Sequence, residues 1–246
     1  VTGLRVNKTT RQLLGERRTV FESVPGRPGS SSNRHEPGDR SIRIECTIIA
    51  DTAALRRTAV MALADLVDSD ESVQLIISDH TDRYWDAILV SPPNPDEWLR
   101  FGQFELEWVA SPYAYSTSLS TESWTSTDGV AHTWTPADTV GAYPEIQIDA
   151  NADISSFILT VNGTAITYGT PLLSGQILTI SSVSYTVITG ATTDVNLTGA
   201  YNPASVSMVT VDGDFPLLVV GQNSVTLDTP SGETADITVT WRRRYR

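Results

Sequence analysis

The chain holds one cysteine in 246 residues, so no disulfide can form within it, and nothing points to an oxidising compartment. Cys46 alternates with Ile42, Ile44 and Ile48 along one apolar face, the setting of a small core residue rather than a nucleophile. No apolar run approaches the roughly 18 residues of a helical membrane span, and the beginning lacks the apolar centre of a signal peptide. These absences predict a soluble protein with no membrane partner, made and used without Sec-type export. Cations are missing from a long stretch: no Lys or Arg lies between Arg100 and Arg242. A formal net charge of −12 argues against general binding to nucleic acid or anionic membranes, which needs clustered cations.

Motifs that carry chemistry are also missing. There is no nucleophile elbow, no paired-histidine zinc helix, no P-loop and no glycine-rich dinucleotide turn. His35, His80 and His132 sit in three separate polar stretches, each without a metal-binding partner at the next few positions. Asp149, Asn151 and Asp153 imitate the start of an EF-hand loop. Ile154 stands where that loop needs glycine, and Thr160 where it needs a bidentate glutamate, so a turn between strands explains them better. The expectation is a protein that is not an enzyme and has no cofactor and no metal.

What is present is strand. In IRIECTII the apolar residues Ile42, Ile44, Cys46 and Ile48 face one way, and Arg43, Glu45 and Thr47 the other. Before it lies a turn-rich polar arm, PGRPGSSSNRHEPGDR, with no apolar residue between Val24 and Ile42. Such a segment cannot bury itself in its own domain; it stays in solvent or lies on another molecule. After the strand, Leu55, Ala59, Ala62, Leu63 and Leu66 make a stripe at helical period, with Asp51 or Thr52 to cap its start. Val73–Ser78 and Tyr84–Val90 read as a hairpin around the tip DHTDR, SPPNPDE as turn, and Phe104, Leu106 and Trp108 as a half-buried strand.

From Thr117 the composition shifts to Ser, Thr, Gly and Asp, and TSLSTESWTSTDGVAHTW is expected to carry the crossing into a second domain. Beyond it come short strands with turn signals: Tyr143–Ile148, Phe157–Val161, an Asn162-Gly163 turn, Ile166–Tyr168, Ile177–Ile180, Tyr185–Ile188, Val206–Val211, Asn223–Leu227 and Ala235–Trp241. Many short strands without a helical period point to a β-sandwich. The division is therefore residues 1–116, with an arm over 24–41 and a helix over 52–67, and residues 117–246. The aromatics Trp124, Trp134, Tyr143, Tyr168, Tyr185 and Tyr201 could serve as sugar platforms or as sandwich core. In the last strand Arg242 and Arg244 alternate with Arg243, so the arginines do not make one patch; an acidic partner surface suits them better than DNA.

Several ordered stretches carry a family resemblance: GERRTVFESVPGRPGS, EPGDRSIRIECTIIAD, LRRTAVMALADLVDSDESVQLIISDHTDRYWDAIL and FGQFELEWVASPYAYS, then AYPEIQIDA, TVNGTAI and DGDFPLLVVGQNSVTL. Together they resemble the distal tail protein family of long, non-contractile-tailed bacteriophages. The resemblance implies a mainly β protein: an α+β ring-forming domain, itself a β-sandwich with one long helix and a protruding β-arm, then a galectin-like β-sandwich. It implies a structural hub in the virion tail tip, made in the host cytoplasm before assembly. Its partners would be itself, as a homohexameric ring or two stacked rings, the tail tube protein, the tail-tip or tail-associated lysin protein and the receptor-binding protein. DNA would only pass through the channel, which an acidic wall would keep from sticking.

By polarity and position, the residues expected at the contact between subunits are Pro25, Gly26, Arg27, Pro28, Gly29, Arg34, Glu36 and Arg40. Those expected to dock a partner are Trp124, Trp134, Arg242 and Arg244. The competing expectation is an adhesion module whose sandwich binds host glycan. A tail-associated hydrolase ranks last, because no pair of carboxylates stands out.

Overall fold

A computed structural model describes residues 3–12, 14–22, 31–67, 71–91, 96–97, 101–189, 192–196, 209–211 and 215–246. The chain divides into two units, residues 1–114 with 246, and residues 115–245.

The first unit is built around the strand with the clean alternation. Its elements are β1 (Leu4–Arg11), β2 (Arg17–Glu22), β3 (Ser31–Pro37), β4 (Arg40–Ile49), α1 (Ala53–Val67), β5 (Val73–Ile77), β6 (His80–Ser91), β7 (Asp96–Glu97) and β8 (Phe101–Ala110). The sheet runs β1-β4-β8-β6, with β5 on β6 and β7 on β8. Register puts Ile42 opposite Trp108, Ile44 opposite Leu106 and Cys46 opposite Phe104, so the apolar faces of β4 and β8 coincide. Ile42, Cys46, Ile48, Phe104, Leu106 and Trp108 are buried. Burial pushes the Cys46 thiol pKa up, consistent with an inert core residue. The opposite face interleaves charges: Arg43 reaches Glu107 at 3.0 Å and Glu105 at 3.6 Å, and Lys8 reaches Glu45 at 3.6 Å.

The helix starts where a cap was expected, the Thr52 hydroxyl accepting the amide of Leu55 at 3.2 Å. Its buried face keeps Ala59 and Leu63 of the predicted stripe and adds Arg56. Arg56, Ala59 and Leu63 point inward, while Leu55 and Ala62 are exposed; the side chain of Leu66 lies outside the described residues. The hairpin tip is also tighter than DHTDR. Ile77 pairs with His80, so Ser78-Asp79 is the whole turn and His80 to Arg83 are already strand. In SPPNPDE, Asp96 and Glu97 are not turn but pair with Gln103 and Gly102; residues 92–95 lie outside the description.

β2 and β3 form a two-stranded ribbon to which no third described strand is added. Arg17 pairs with Pro37 and Glu22 with Ser31. At its base the amide of Gly38 donates to the carbonyl of Glu16, and that of Glu16 to the carbonyl of Asp39. The polar arm is therefore a β-hairpin that begins earlier than its composition suggested.

The second unit contains β9 (Ala114–Thr125, all but its first residue), β10 (His132–Trp134), β11 (Pro144–Ala150), β12 (Phe157–Val161), β13 (Thr164–Tyr168), β14 (Ile177–Ser181), β15 (Thr186–Thr189), β16 (Thr192–Asn196), β17 (Val209–Val211), β18 (Asn223–Asp228) and β19 (Ala235–Tyr245). One sheet runs β9-β19-β11-β14-β15-β16 and the other β10-β18-β12-β13-β17. Ile146, Leu178, Val187 and Ile237 from the first meet Leu159, Ile166 and Leu227 from the second in one core, a β-sandwich.

Asn162 and Gly163 both have positive φ, 49° and 87°, as a type I′ hairpin turn requires. Tyr185, expected in a strand, instead occupies a turn with φ 56°. Thr117–Thr125, read as a crossing, is strand: Thr125 donates to Asp236 at 2.6 Å and Ser123 shares a 3.0 Å bond with Thr238 of β19. Residues 206–208 of the expected Val206–Val211 strand lie outside the description. No helix among the described residues is long and apolar enough to cross a membrane.

Candidate partner-docking sites

β9 neighbours β19 in one sheet of the sandwich and β10 ends the other, and large aromatic side chains of β9, β10 and β19 lie side by side. Trp124 of β9 stacks on His132 of β10, with ring centroids 4.1 Å apart and planes within 11°. Trp134, two residues along β10, lies 6.0 Å from Trp124 and 6.2 Å from Trp241 of β19. The His132 imidazole Nε2 is 3.0 Å from a Glu122 carboxylate oxygen, which fixes the ring that Trp124 covers. Both Trp124 and Trp134 pack against the sandwich core and keep some exposed area.

Beside this stack runs a groove of about 470 Å³. Its lining includes Ser116, Ser118, Glu122, Trp134, Trp241 and Arg243, a mixture of ring faces, hydroxyls and one charge of each sign. Behind it, Asp138 accepts the indole N–H of Trp241 at 2.9 Å, with the Arg243 Nε 3.9 Å from its other oxygen. Burial raises the pKa of the Asp138 carboxyl, and the Trp241 bond and Arg243 charge oppose that shift. Sequence reasoning passed over Asp138 and Glu122, and took Arg243 only as part of the arginine run. Asp138 and Trp241 stand 103 positions apart, so no local pattern could have joined them.

Trp124 and Trp134 are thus brought together. The two arginines expected with them are engaged inside their own unit: Arg242 donates to the carbonyls of Ser116 and Thr117, at 3.1 and 3.2 Å. Arg244 donates to that of Gly141 at 2.8 Å, its guanidinium 5.1 Å from the Tyr143 ring centre. Of the proposed platforms, Tyr168 is buried with its hydroxyl 3.0 Å from that of Thr189, and Tyr143 and Tyr185 are exposed. Tyr201 lies outside the described residues.

Of the subunit-contact residues, Pro25, Gly26, Arg27, Pro28 and Gly29 lie outside the description, and Arg34 and Glu36 belong to β3, paired with Val20 and Arg18. Arg40 needs correction: it is not on the arm but opens β4, 6% exposed inside the first unit. Its neighbour across the sheet, Ala110, fixes it on the core-facing side.

No group of three or more His, Cys, Asp or Glu among the described residues is placed to hold a metal. In the EF-hand-like stretch, Asp153 accepts the amide of Ser174 at 2.8 Å, so its carboxylate serves the turn, and Asp149 is a paired residue within β11.

The described residues make a sheet with one helix followed by a β-sandwich, the order of elements that the relatives below share. Residues 4–110 match the model of the phage tail protein RIFT-related domain, and residues 139–245 that of the siphovirus-type tail component, C-terminal domain. The chain belongs to the distal tail protein family of siphophages, structural components of the virion tail.

Among solved structures, the Dit protein of phage SPP1, described as a paradigm of the hub adsorption apparatus in phages infecting Gram-positive bacteria, has the same fold. Its TM-score is 0.75 at 12% identity, over 99% of this chain and 94% of that one. The baseplate of phage P2, in its activated conformation with Ca, matches at TM-score 0.41 and 10% identity, over 97% and 90%. No curated protein sequence matches.

Proposed function

We propose that this chain is the hub of a siphophage tail tip, closing as a hexameric ring around the DNA channel and joining the tail tube to the tip proteins. The β2–β3 ribbon is the observation that carries the reading. It is a polar hairpin with no third described strand, so its edges offer backbone N–H and C=O groups to another chain. A closed ring needs such a contact, in which one patch meets a different patch on the next copy. The sandwich, with the Trp124–His132–Trp134 stack beside a polar groove, supplies a docking surface for tip proteins. Particle images of the purified chain test this: six-fold rings with a central channel are expected, and single chains at every concentration count against it.

The stacked rings support a second function, recognition of host glycan, because aromatic faces next to hydroxyls and a carboxylate are what a sugar ring needs. A glycan array with the wild type and W134A decides. Binding lost in the variant supports the adhesin, and no binding by the wild type removes it.

A further inference from the structure

The groove beside Trp134 follows a strand. Ser118, Leu119, Ser120, Thr121 and Glu122 of β9 line it in unbroken succession, about 16 Å of extended chain. Ser116, Ser118, Ser120 and Glu122 stand at steps of two, so they share one face of β9 and recur about every 7 Å along it. Ser118 is exposed, and Ser120 and Glu122 are half-buried.

Each rung of this ladder keeps hydrogen-bonding capacity. The Ser116 and Ser118 hydroxyls share a 3.3 Å bond, Ser120 Oγ accepts Arg243 Nε at 3.0 Å, and one Glu122 oxygen lies 3.0 Å from His132 Nε2. A hydroxyl offers one donor and two acceptor sites, and a carboxylate about four acceptor sites, so every rung has sites left over. Trp134 of β10 and Thr135 after it line the same groove. β10 ends its sheet, and no described strand pairs with its outer edge, which keeps backbone N–H and C=O groups to offer. One cavity is thus bordered by a row of polar side chains and by the end of a strand with a free edge.

We propose that this groove binds an extended polypeptide segment of about five residues with small, uncharged side chains, carried by a partner protein. An extended chain turns backbone N–H and C=O groups to one side at every second residue, the interval of about 7 Å at which the β9 rungs recur. Its other side meets the free edge of β10, as when a strand is added to a sheet. Small side chains suit a cavity of about 470 Å³, and a lining with one charge of each sign favours neither sign in the occupant. This binding rests on the docking role given to the sandwich above and not on ring closure.

A displayed library of random twelve-residue peptides, selected on the full chain, supplies the probe, and synthetic copies of the selected peptides are titrated by fluorescence anisotropy. Sequences rich in Ser, Thr, Ala and Gly are expected. S118R, which fills the groove from an exposed position, should abolish their binding. S118V, which removes one hydroxyl and suits a strand, should weaken it about three- to tenfold. Circular dichroism of both variants should match the wild type. Methylating the peptide's backbone nitrogens one at a time should cost affinity at every second position; a spacing of three or four would overturn an extended occupant. Peptides that bind S118R as tightly as wild type overturn the groove and leave the docking reading intact. A library that yields no binder also overturns the groove, and a glycan whose binding S118R abolishes assigns it to sugar instead. The hub reading, tested by particle images, survives either result.

Discussion

Gly15 and Gly38 stand back to back at the base of the β2–β3 hairpin: a Cβ on Gly15 would lie 1.9 Å from the carbonyl oxygen of Gly38, and one on Gly38 2.7 Å from that of Glu16. The atoms in the way are backbone, which cannot swing aside, so the closeness of the two chain segments depends on hydrogen at both positions. It is this closeness that lets the Gly38 amide reach Glu16 and start the ribbon.

G15A should therefore open the hairpin base at a cost of about 1–3 kcal/mol, the range for overpacking a tight contact. Amide hydrogen exchange is the direct readout. Faster exchange confined to β2 and β3 is expected, and unchanged protection there would mean that the base tolerates a side chain.

Asn223 is fully buried and ties the loop over residues 217–221 to the sandwich. Its amide donates to the carbonyls of Val219 and Gly221, at 3.0 and 3.1 Å, and its oxygen accepts from the Val219 amide and Asn162, each at 2.8 Å. N223A leaves these buried groups unmet and should cost about 3 kcal/mol. Urea unfolding followed by tryptophan fluorescence measures it; a loss under about 1 kcal/mol would show that the loop finds other partners.

Asp138 gives a pH dependence with a definite sign. Its carboxyl pKa is raised on folding, by burial above all, so its contribution to stability is fully present below the ordinary carboxylate range and is lost as pH rises through the raised value. D138N keeps an acceptor for Trp241 and removes the titration. The variant should gain on the wild type as pH rises from about 4 to about 8, read as urea midpoints across that range. A constant difference between the two would contradict the burial argument.

Elements whose own period reports their environment were legible. The two-residue alternation of Ile42, Cys46 and Ile48 and of Ala235, Ile237 and Val239 survives as buried faces, because both strands lie with one side on a core. Asn162-Gly163 and the Thr52 cap were legible because a backbone geometry demands those residue types. Thr117–Thr125 was not, since its pairing comes from β19, more than a hundred residues later, and its Ser and Thr carry no apolar rhythm. The helix stripe held at Ala59 and Leu63 and failed at Leu55 and Ala62, which are exposed while the long side chain of Arg56 is buried. Arg40 was read as surface. A charge in a strand looks solvent-exposed until the register places it opposite Ala110.

The tail-tip assignment gives the ribbon its task, and shortening the ribbon tests that task most directly. Residues 18–36 would be replaced by a two-residue hairpin turn in the full chain, and the assembly mass of both proteins measured by light scattering alongside particle images. The account predicts a hexameric ring, or two stacked rings, for the wild type, and a folded single chain for the variant. Rings of the same mass from the shortened chain would contradict it.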